Sequence, residues 1–334
     1  MQDDIRLPTV EDVRQAAGRI APYAVKTPLL ESSFLNDKMG ARILLKAEVL
    51  QRTGSFKFRG AYNRISQIDR NAYPGGVVAC SSGNHAQGVA EAGRLCEVPA
   101  VIVMPADAPA IKVARTRRSG AEVVFYDRYT EDRDAIALAL AEQRKAVYVA
   151  PFDDFGVVAG QGTVGLEIAE QACAAGVSLE AVLTPCSGGG LAAGIALAIE
   201  ADSPGTRVYT VEPEDFDDYA RSLKSGQPER NAPGKTSICD ALLMAHPGKL
   251  TFALNRDRLA GGFTVSDAEA SAAVAFAYNE LKLVVEPGGA VALAAILSGR
   301  YPLSGKPVAV VLSGGNMDPA MLAGILGQEQ GGGA

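Results

Sequence analysis

The sequence of 334 residues lacks the features that mark several common classes of protein. It contains no basic run and its net charge is −6, so binding to nucleic acid or to an anionic membrane has little electrostatic support. No apolar run reaches the roughly 18 residues that a membrane span needs. The acidic start, Met1-Gln2-Asp3-Asp4, has no apolar segment, so we do not expect a secretory signal.

Cysteine is also scarce in this chain. The five cysteines are odd in number, widely spaced and without a C-x-x-C pair: Cys80, Cys96, Cys173, Cys186 and Cys239. This arrangement argues against a disulfide framework and against a zinc cluster. It predicts a reducing, cytoplasmic location.

The chain is longer than the size at which one hydrophobic core stops growing, so we expect two domains. Short β-branched runs alternate with Ala- and Leu-rich segments, which favours an α/β fold with largely parallel sheets and helices on both faces. The predicted strands cover residues 43–46, 76–80, 100–104, 122–126, 181–185, 207–211 and 307–312. Predicted helices include residues 132–145, 190–200 and 268–282, and Thr9 to Asp12 resembles the capping box of another helix.

Three of the predicted strands end in small polar residues and glycine. The loops that follow them read Ser81-Ser82-Gly83-Asn84-His85, Ser187-Gly188-Gly189-Gly190-Leu191 and Ser313-Gly314-Gly315-Asn316. In open α/β sheets, ligands bind just beyond the carboxyl ends of the strands. We therefore expect these loops to converge on one crevice.

Lys57 has an unusual setting between two phenylalanines, in Thr53-Gly54-Ser55-Phe56-Lys57-Phe58-Arg59-Gly60-Ala61. Desolvation lowers the pKa of a lysine, and the neutral amine is the form that attacks a carbonyl, so this setting favours a Schiff-base lysine. Because charged residues are mostly exposed, the alternative on these nine residues alone is a surface lysine in a polar loop.

The loop Ser187-Gly188-Gly189-Gly190 precedes a predicted helix. Glycines let the backbone approach an anion closely, and the free amides at a helix N-terminus donate to it, so this loop is suited to phosphate. The alternative is a tight turn. The loop matches neither a Walker A motif nor G-x-G-x-x-G. A Schiff-base lysine combined with a phosphate loop suggests pyridoxal phosphate as the cofactor.

Four ordered motifs resemble those of the fold-type II pyridoxal phosphate enzymes. They are TGSFKFRGA, SSGNHAQG, SGGGL and SGGN, and they extend from residue 53 to residue 316. The branch they resemble holds the serine/threonine dehydratases and serine racemases, including the 3-hydroxyaspartate dehydratases. The resemblance implies a two-domain α/β fold like that of tryptophan synthase β. Residues 1–52 and 154–325 would form the large cofactor-binding domain, 53–153 the small domain and 326–334 a disordered tail.

The resemblance also implies a role for each motif. Lys57 would bind the cofactor covalently and move protons at the substrate Cα. The other cofactor-binding residues would be Phe56, Asn84, Ser187, Gly188, Gly189, Gly190, Leu191 and Ser313, with Asn84 at the ring oxygen and Ser313 at the pyridine nitrogen. The substrate carboxylate would be bound by Ser81, Ser82, Asn84 and His85. The alternative for His85 is a structural histidine.

Two positions bear on the substrate. Ser82 stands where threonine deaminases usually have alanine; in serine racemases this serine is a second acid/base opposite the lysine. The alternative for Ser82 is one more donor to the carboxylate. Arg133 aligns with an arginine that approaches the substrate side chain in serine racemases, where it could bind the β-carboxylate of 3-hydroxyaspartate. The alternative for Arg133 is an exposed arginine at a helix start.

A dense acidic run, Glu212 to Asp218, follows one predicted strand. Charge runs are usually solvated faces. The resemblance implies instead a site for Mg²⁺, or for Mn²⁺ or Ca²⁺, formed by Glu212, the carbonyl of Phe216 and Asp218. Hard cations prefer such oxygen ligands.

These features predict an ammonia-lyase that dehydrates and deaminates a β-hydroxy amino acid, either L-threonine, L-serine or 3-hydroxyaspartate, to a 2-oxo or imino acid and ammonia. One alternative is a serine or aspartate racemase with side dehydratase activity. Another is a pyridoxal phosphate-binding or amino-acid-sensing protein without turnover. The expected partner is a small amino acid, and the resemblance implies a homodimer.

Overall fold

A computed structural model describes residues 6–108 and 110–331 of the chain. The strands are β1 (Leu29–Glu31), β2 (Ile43–Ala47), β3 (Val77–Cys80), β4 (Ala100–Pro105), β5 (Glu122–Tyr126), β6 (Val147–Tyr148), β7 (Ala181–Pro185), β8 (Arg207–Pro213), β9 (Leu259–Val265) and β10 (Val308–Leu312). The helices are α1 (Val10–Ile20), α2 (Ser33–Met39), α3 (Lys57–Ile65), α4 (Asn84–Cys96), α5 (Ala110–Arg118), α6 (Arg133–Arg144), α7 (Phe155–Ala174), α8 (Gly190–Asp202), α9 (Asp218–Ser225), α10 (Lys249–Asn255), α11 (Asp267–Asn279), α12 (Pro287–Leu297) and α13 (Pro319–Gly331).

The strands form two sheets. The larger has the order β1-β2-β10-β7-β8-β9, and the smaller has the order β5-β4-β3-β6. Neighbouring strands are parallel except β1, which is antiparallel to β2. The smaller sheet is built from residues 77–148, and the chain segments before and after it pair in the larger sheet. The predicted α/β architecture is confirmed, and the domain boundaries stay a prediction.

Helices cover both faces of each sheet, which explains why the strands are near-continuous apolar runs. On one face of the larger sheet, α11 and α12 pack on strand residues such as Leu45 and Val310. On its other face, α7 and α8 pack on Leu44 and Val182. The smaller sheet lies between α3 and α4 on one side and α6 on the other.

The ends of the chain differ in how well they were predicted. The expected capping box is present, since the Thr9 and Asp12 side chains cap α1 reciprocally. The disordered tail predicted from residue 326 was wrong for residues 326–331, because α13 continues to Gly331 and packs Ile325 and Leu326 against the larger core. Residues 332–334 lie outside the described part, as do Met1 to Asp4. Within residues 6–108 and 110–331, no helix has the length and apolarity needed to cross a membrane.

Candidate active site

A cavity of about 220 Å³ lies where the carboxyl ends of β3, β7 and β10 meet. The three strand-end loops line it, as the sequence predicted, and Lys57 lies among them. Its walls include all of the predicted cofactor and substrate residues: Phe56, Lys57, Ser81, Ser82, Asn84, His85, Arg133, Ser187, Gly188, Gly189, Gly190, Leu191 and Ser313. Residues from opposite ends of the chain therefore form one site.

Lys57 is the first residue of α3 and faces the cavity. Its Nζ donates to the carbonyl of Pro151 at 2.7 Å and lies 5.1 Å from the centre of the Phe56 ring. The backbone of Phe56 is held in turn by the carbonyl of Ser313, at 3.1 Å. The second flanking aromatic, Phe58, is buried in the core beneath the smaller sheet.

The protein around Lys57 desolvates its ammonium, and this burial lowers its pKa from 10.5 to about 8. A substantial fraction of the amine is therefore neutral near pH 8. Because the residue is also open to the cavity, the neutral amine can reach a carbonyl compound bound there. Lys57 is thus a desolvated cavity residue and not a surface lysine.

The glycine loop after β7 has no space for side chains. A Cβ on Gly188 would lie 2.4 Å from the Phe152 ring, and a Cβ on Gly189, whose φ is +90°, would lie 2.3 Å from the Tyr219 hydroxyl. The loop leads directly into α8, whose first amides have no partner within the helix. This bare backbone at a helix N-terminus fits a phosphate group, so the residues present suit pyridoxal phosphate.

Helix α10 holds this loop in place, and the sequence did not predict this helix. Thr251 Oγ1 donates to the Gly188 carbonyl at 2.6 Å, and Asn255 Nδ2 donates to the Gly189 carbonyl at 3.1 Å. Helix α10 therefore holds the backbone of the loop by its carbonyl oxygens. Asp153 caps α10 by accepting from the amides of Lys249, Leu250 and Thr251.

Asn84 begins α4 at the cavity wall. It is held by Glu286, whose sequence motif the resemblance places near the cofactor without a defined role, and by Asn316, which was not assigned to the site. Asn84 Nδ2 donates to Glu286 Oε1 at 2.5 Å, and its Oδ1 accepts from Asn316 Nδ2 at 2.8 Å. Glu286 is only 4% exposed, and burial raises its pKa to about 7. The signal for Asn316 was present in the Ser-Gly-Gly-Asn motif.

His85 is fully enclosed, and its Nε2 lies 2.9 Å from the carbonyl of Val149. Because a carbonyl only accepts, Nε2 must carry the proton and Nδ1 is an acceptor. Burial and the neighbouring Lys57 lower the His85 pKa to about 3, so the ring is neutral. A neutral ring with its proton directed to Val149 has no donor left for a carboxylate, which favours the structural alternative.

The remaining substrate candidates also line the cavity. Ser81 Oγ accepts from the Gly83 amide at 3.1 Å, which shapes the loop, and Ser82 lines the cavity beside it. Arg133 is the first residue of α6; its Nη2 lies 3.7 Å from the sulfur of Met244 and its Nε 3.7 Å from Asp134 Oδ2. Its guanidinium therefore has no short ion pair in the described residues.

The predicted metal ligands lie away from the cavity, at the end of β8. Glu212 is fully buried and accepts from the amides of Tyr219 and Ala220, at 3.0 and 2.8 Å. Asp218 accepts from Asn231 through Oδ1, while its buried Oδ2 has no partner in the described part of the chain. Burial and the Asp218 charge raise the pKa of Glu212 well above its usual range, and burial raises that of Asp218 to about 6.

Some features of the pair Glu212 and Asp218 favour binding of a cation, and one feature argues against it. An orphaned carboxylate oxygen beside a second buried carboxylate fits a hard cation that keeps several waters. Phe216 is buried and lies between Glu212 and Asp218 in the sequence, so its backbone carbonyl is a third candidate ligand. However, across residues 6–108 and 110–331 no group of three or more His, Cys, Asp or Glu side chains could hold a metal ion.

Comparisons with known proteins agree with this site. The family model described as pyridoxal-phosphate dependent enzyme matches residues 20–314. The chain is 43% identical to L-threo-3-hydroxyaspartate ammonia-lyase of Saccharomyces cerevisiae, over 97% of this chain and 98% of that one. It is 38% identical to serine racemase of Schizosaccharomyces pombe, over 98% and 100%. The solved structure of a T.th. threonine deaminase superposes with a TM-score of 0.88 at 45% identity, covering 93% and 99%.

Proposed function

The chain belongs to the pyridoxal-phosphate-dependent enzyme family and is an ammonia-lyase that acts by β-elimination, and we propose that its substrate is L-threo-3-hydroxyaspartate. The observation that carries this choice is the position of Arg133, whose guanidinium lines the cavity. Within the described residues its ion-pair partner is Asp134, at a distance of 3.7 Å between Nε and Oδ2, so the pair is a loose one. A guanidinium binds a carboxylate through two parallel hydrogen bonds, so Arg133 suits a substrate with a second carboxylate. The relative of that name is 43% identical to this chain.

In the proposed mechanism, pyridoxal phosphate supplies an electron sink for the charge that develops at the substrate Cα. The amides of Ser187 to Leu191 would hold its phosphate, Phe56 would pack beside its ring, and Asn84 and Ser313 would bind polar atoms of the ring. Lys57 would hold the cofactor, and as a neutral amine it would remove the proton from the substrate Cα. Burial of Lys57 supports this base role, because it brings the pKa close to the working pH.

A second candidate function is racemisation, and Ser82 favours it. Its hydroxyl lines the same cavity as Lys57, and a serine racemase is 38% identical to this chain. If Ser82 lies on the opposite side of Cα from Lys57, it can return a proton to the face from which Lys57 did not remove one. In this proposal racemisation accompanies elimination as the slower reaction.

The substrate proposal is tested with Arg133→Gln, which removes the charge and keeps much of the size. We expect kcat/KM for L-threo-3-hydroxyaspartate to fall about 100-fold, since losing a charge-assisted contact costs about 1.5–3 kcal/mol. For L-threonine and L-serine the change is expected to be less than about threefold. Arg128→Gln, an exposed arginine paired with Asp107, is the matched control. Equal losses on all three substrates would refute the role of Arg133.

We also propose that Glu212, the Phe216 carbonyl and Asp218 bind Mg²⁺ or a similar divalent cation. The support is physical: two buried carboxylates with raised pKa values are costly side by side, and a cation would offset both. The unpartnered Asp218 Oδ2 would gain a ligand contact. A structural role is expected, since the pair lies at the end of β8 outside the cavity wall.

Two further expectations complete the proposal. The homodimer implied by the resemblance is tested by light scattering on the purified chain.

The cytoplasmic location is supported by five cysteines that are all free, as expected in a reducing compartment. Fractionation of cells that express the chain would test it.

A further inference from the structure

A continuous chain of hydrogen bonds runs along one wall of the cavity, from a backbone carbonyl to a buried carboxylate. Asn316 Nδ2 donates to the carbonyl of Thr53 at 2.6 Å and to Asn84 Oδ1 at 2.8 Å. Asn84 Nδ2 then donates to Glu286 Oε1 at 2.5 Å. The three side chains come from three separate segments, and all three line the cavity.

The two ends of this chain determine which way each amide faces. A backbone carbonyl can only accept, so the nitrogen of Asn316 must face Thr53. The same nitrogen then requires an acceptor at Asn84, which places Oδ1 there and Nδ2 on the side of Glu286. If the Asn84 amide were flipped, its Nδ2 would face the Nδ2 of Asn316, so two donors would meet. Its Oδ1 would then face the carboxyl of Glu286.

The backbone around this chain is shaped to hold it. A Cβ on Gly314 would lie 2.2 Å from Glu286 Oε1, and a Cβ on Gly54 would lie 2.9 Å from Asn316 Oδ1. The amide of Glu286 donates to the Gly314 carbonyl at 3.0 Å, which holds this carboxyl at the N-terminal end of α12. Glu286 and Asn316, the residues on either side of Asn84 in the hydrogen-bond chain, are therefore each held by more than one contact. Asn84 Nδ2 donates one N–H to Glu286, and its second N–H has no acceptor within residues 6–108 and 110–331.

We propose that Glu286 and Asn316 are positioning residues, which hold the amide of Asn84 in one orientation so that its remaining N–H is the donor offered to the cofactor's ring oxygen. This inference rests on the proposed binding of pyridoxal phosphate by Asn84. It extends the site to two residues that touch Asn84 and not the reacting atoms. An amide that is already oriented loses less entropy when the ligand binds.

The test measures binding of pyridoxal phosphate to the full-length apoprotein by fluorescence titration, together with the visible absorption maximum of the bound form. Asn84→Ala and Asn316→Asp are each expected to raise the Kd about tenfold and to displace the maximum equally. Asn316→Asp replaces the required donor by an acceptor. Asn316→Ala, which buries no new charge, is the second variant if Asn316→Asp unfolds. Glu286→Gln keeps an acceptor oxygen and should retain the wild-type maximum, whereas Glu286→Ala should not.

The double variant Asn84→Ala/Asn316→Ala separates positioning from a general structural role. If Asn316 acts through Asn84, the double variant binds within about twofold of Asn84→Ala alone. A roughly hundredfold loss in the double variant, or an unchanged maximum in Asn316→Ala, would overturn the inference while leaving the role of Asn84 intact. Wild-type binding by Asn84→Ala would overturn that role and the inference together.

Discussion

The Nζ of Lys57 donates a 2.7 Å hydrogen bond to the carbonyl of Pro151, and the segment that contains Pro151 also packs against the glycine loop after β7. The next residue, Phe152, packs so closely on Gly188 that a Cβ there would lie 2.4 Å from its ring. Asp153 then caps α10, the helix that binds the loop carbonyls. Three consecutive residues therefore link Lys57 to the glycine loop on the other side of the cavity.

The first prediction concerns the pH dependence of cofactor attachment. Because burial lowers the Lys57 pKa to about 8, the neutral amine increases as pH rises through 8, whereas an ordinary lysine would be about 0.3% neutral there. We expect the rate of covalent attachment of pyridoxal phosphate to the apoprotein to rise with an inflection near pH 8. Borohydride trapping and peptide mapping should find the label on Lys57. Lys26→Ala, an exposed control paired with Glu170, should behave as wild type. A rate still rising at pH 10 would contradict this.

A second prediction concerns Gly189→Ala, which combines strain with crowding. The backbone φ is +90° and the new Cβ would lie 2.3 Å from the hydroxyl of the fully buried Tyr219. We expect the variant to lose at least tenfold in affinity for pyridoxal phosphate, in addition to about 1–2 kcal/mol of stability from strain. Gly205→Ala is the matched control, since its φ is +93° but its Cβ would meet nothing within 4 Å. The control should lose stability alone; equal affinity loss in both would contradict the crowding argument.

A third prediction distinguishes the two candidate reactions at Ser82. With Ser82→Ala, racemisation of L-serine should fall at least tenfold, because the proton donor on one face is lost. Elimination from the L substrate should change less than about threefold, since Lys57 is the base for it. Ser81→Ala is the control: its hydroxyl shapes the loop through Gly83, so both reactions should fall together. Enantiomer analysis and keto acid release measure the two rates. Unchanged rates of both reactions in Ser82→Ala would refute the role of Ser82 as a second acid/base.

Most of the strands that the sequence predicted are buried on both faces, because such strands are continuous apolar runs. Val77–Cys80 and Val308–Leu312 are examples from the two sheets. The exception is Glu122–Tyr126, a partly exposed edge strand. The strands that it missed lack this signal. Leu29–Glu31 is a short edge strand, Val147–Tyr148 has two residues, and Leu259–Val265 contains two glycines that indicate a turn. Edge position and glycine therefore limited the prediction of the fold.

Within the site, glycine and serine at strand ends made the loops predictable, whereas long-range polar pairs were not. Arg59, in the lysine motif, is fully buried and ion-paired with Glu48 at 2.8 Å and Glu167 at 2.7 Å. These partners are 11 and 108 residues away in the sequence, so no local spacing connects them. The contacts of α10 with the glycine loop were hidden for the same reason. Only the folded chain brings such groups together.

The fourth prediction concerns the acidic pair beyond β8. If Glu212 and Asp218 share a cation, a chelator should lower the melting temperature by a few degrees and Mg²⁺ should restore it, because a ligand of the native state stabilises by mass action. Burial raises the pKa of Asp218 from 3.8 to about 6, so without metal the stability from this group is present below pH 3.8 and is lost as pH rises through 6. Protons compete with the cation, so Mg²⁺ affinity should increase from pH 5 to pH 8. Asp218→Asn should abolish the response, whereas Asp215→Asn, an exposed neighbour paired with Lys235, should retain it. A melting temperature that is indifferent to chelator in the wild type would refute the site.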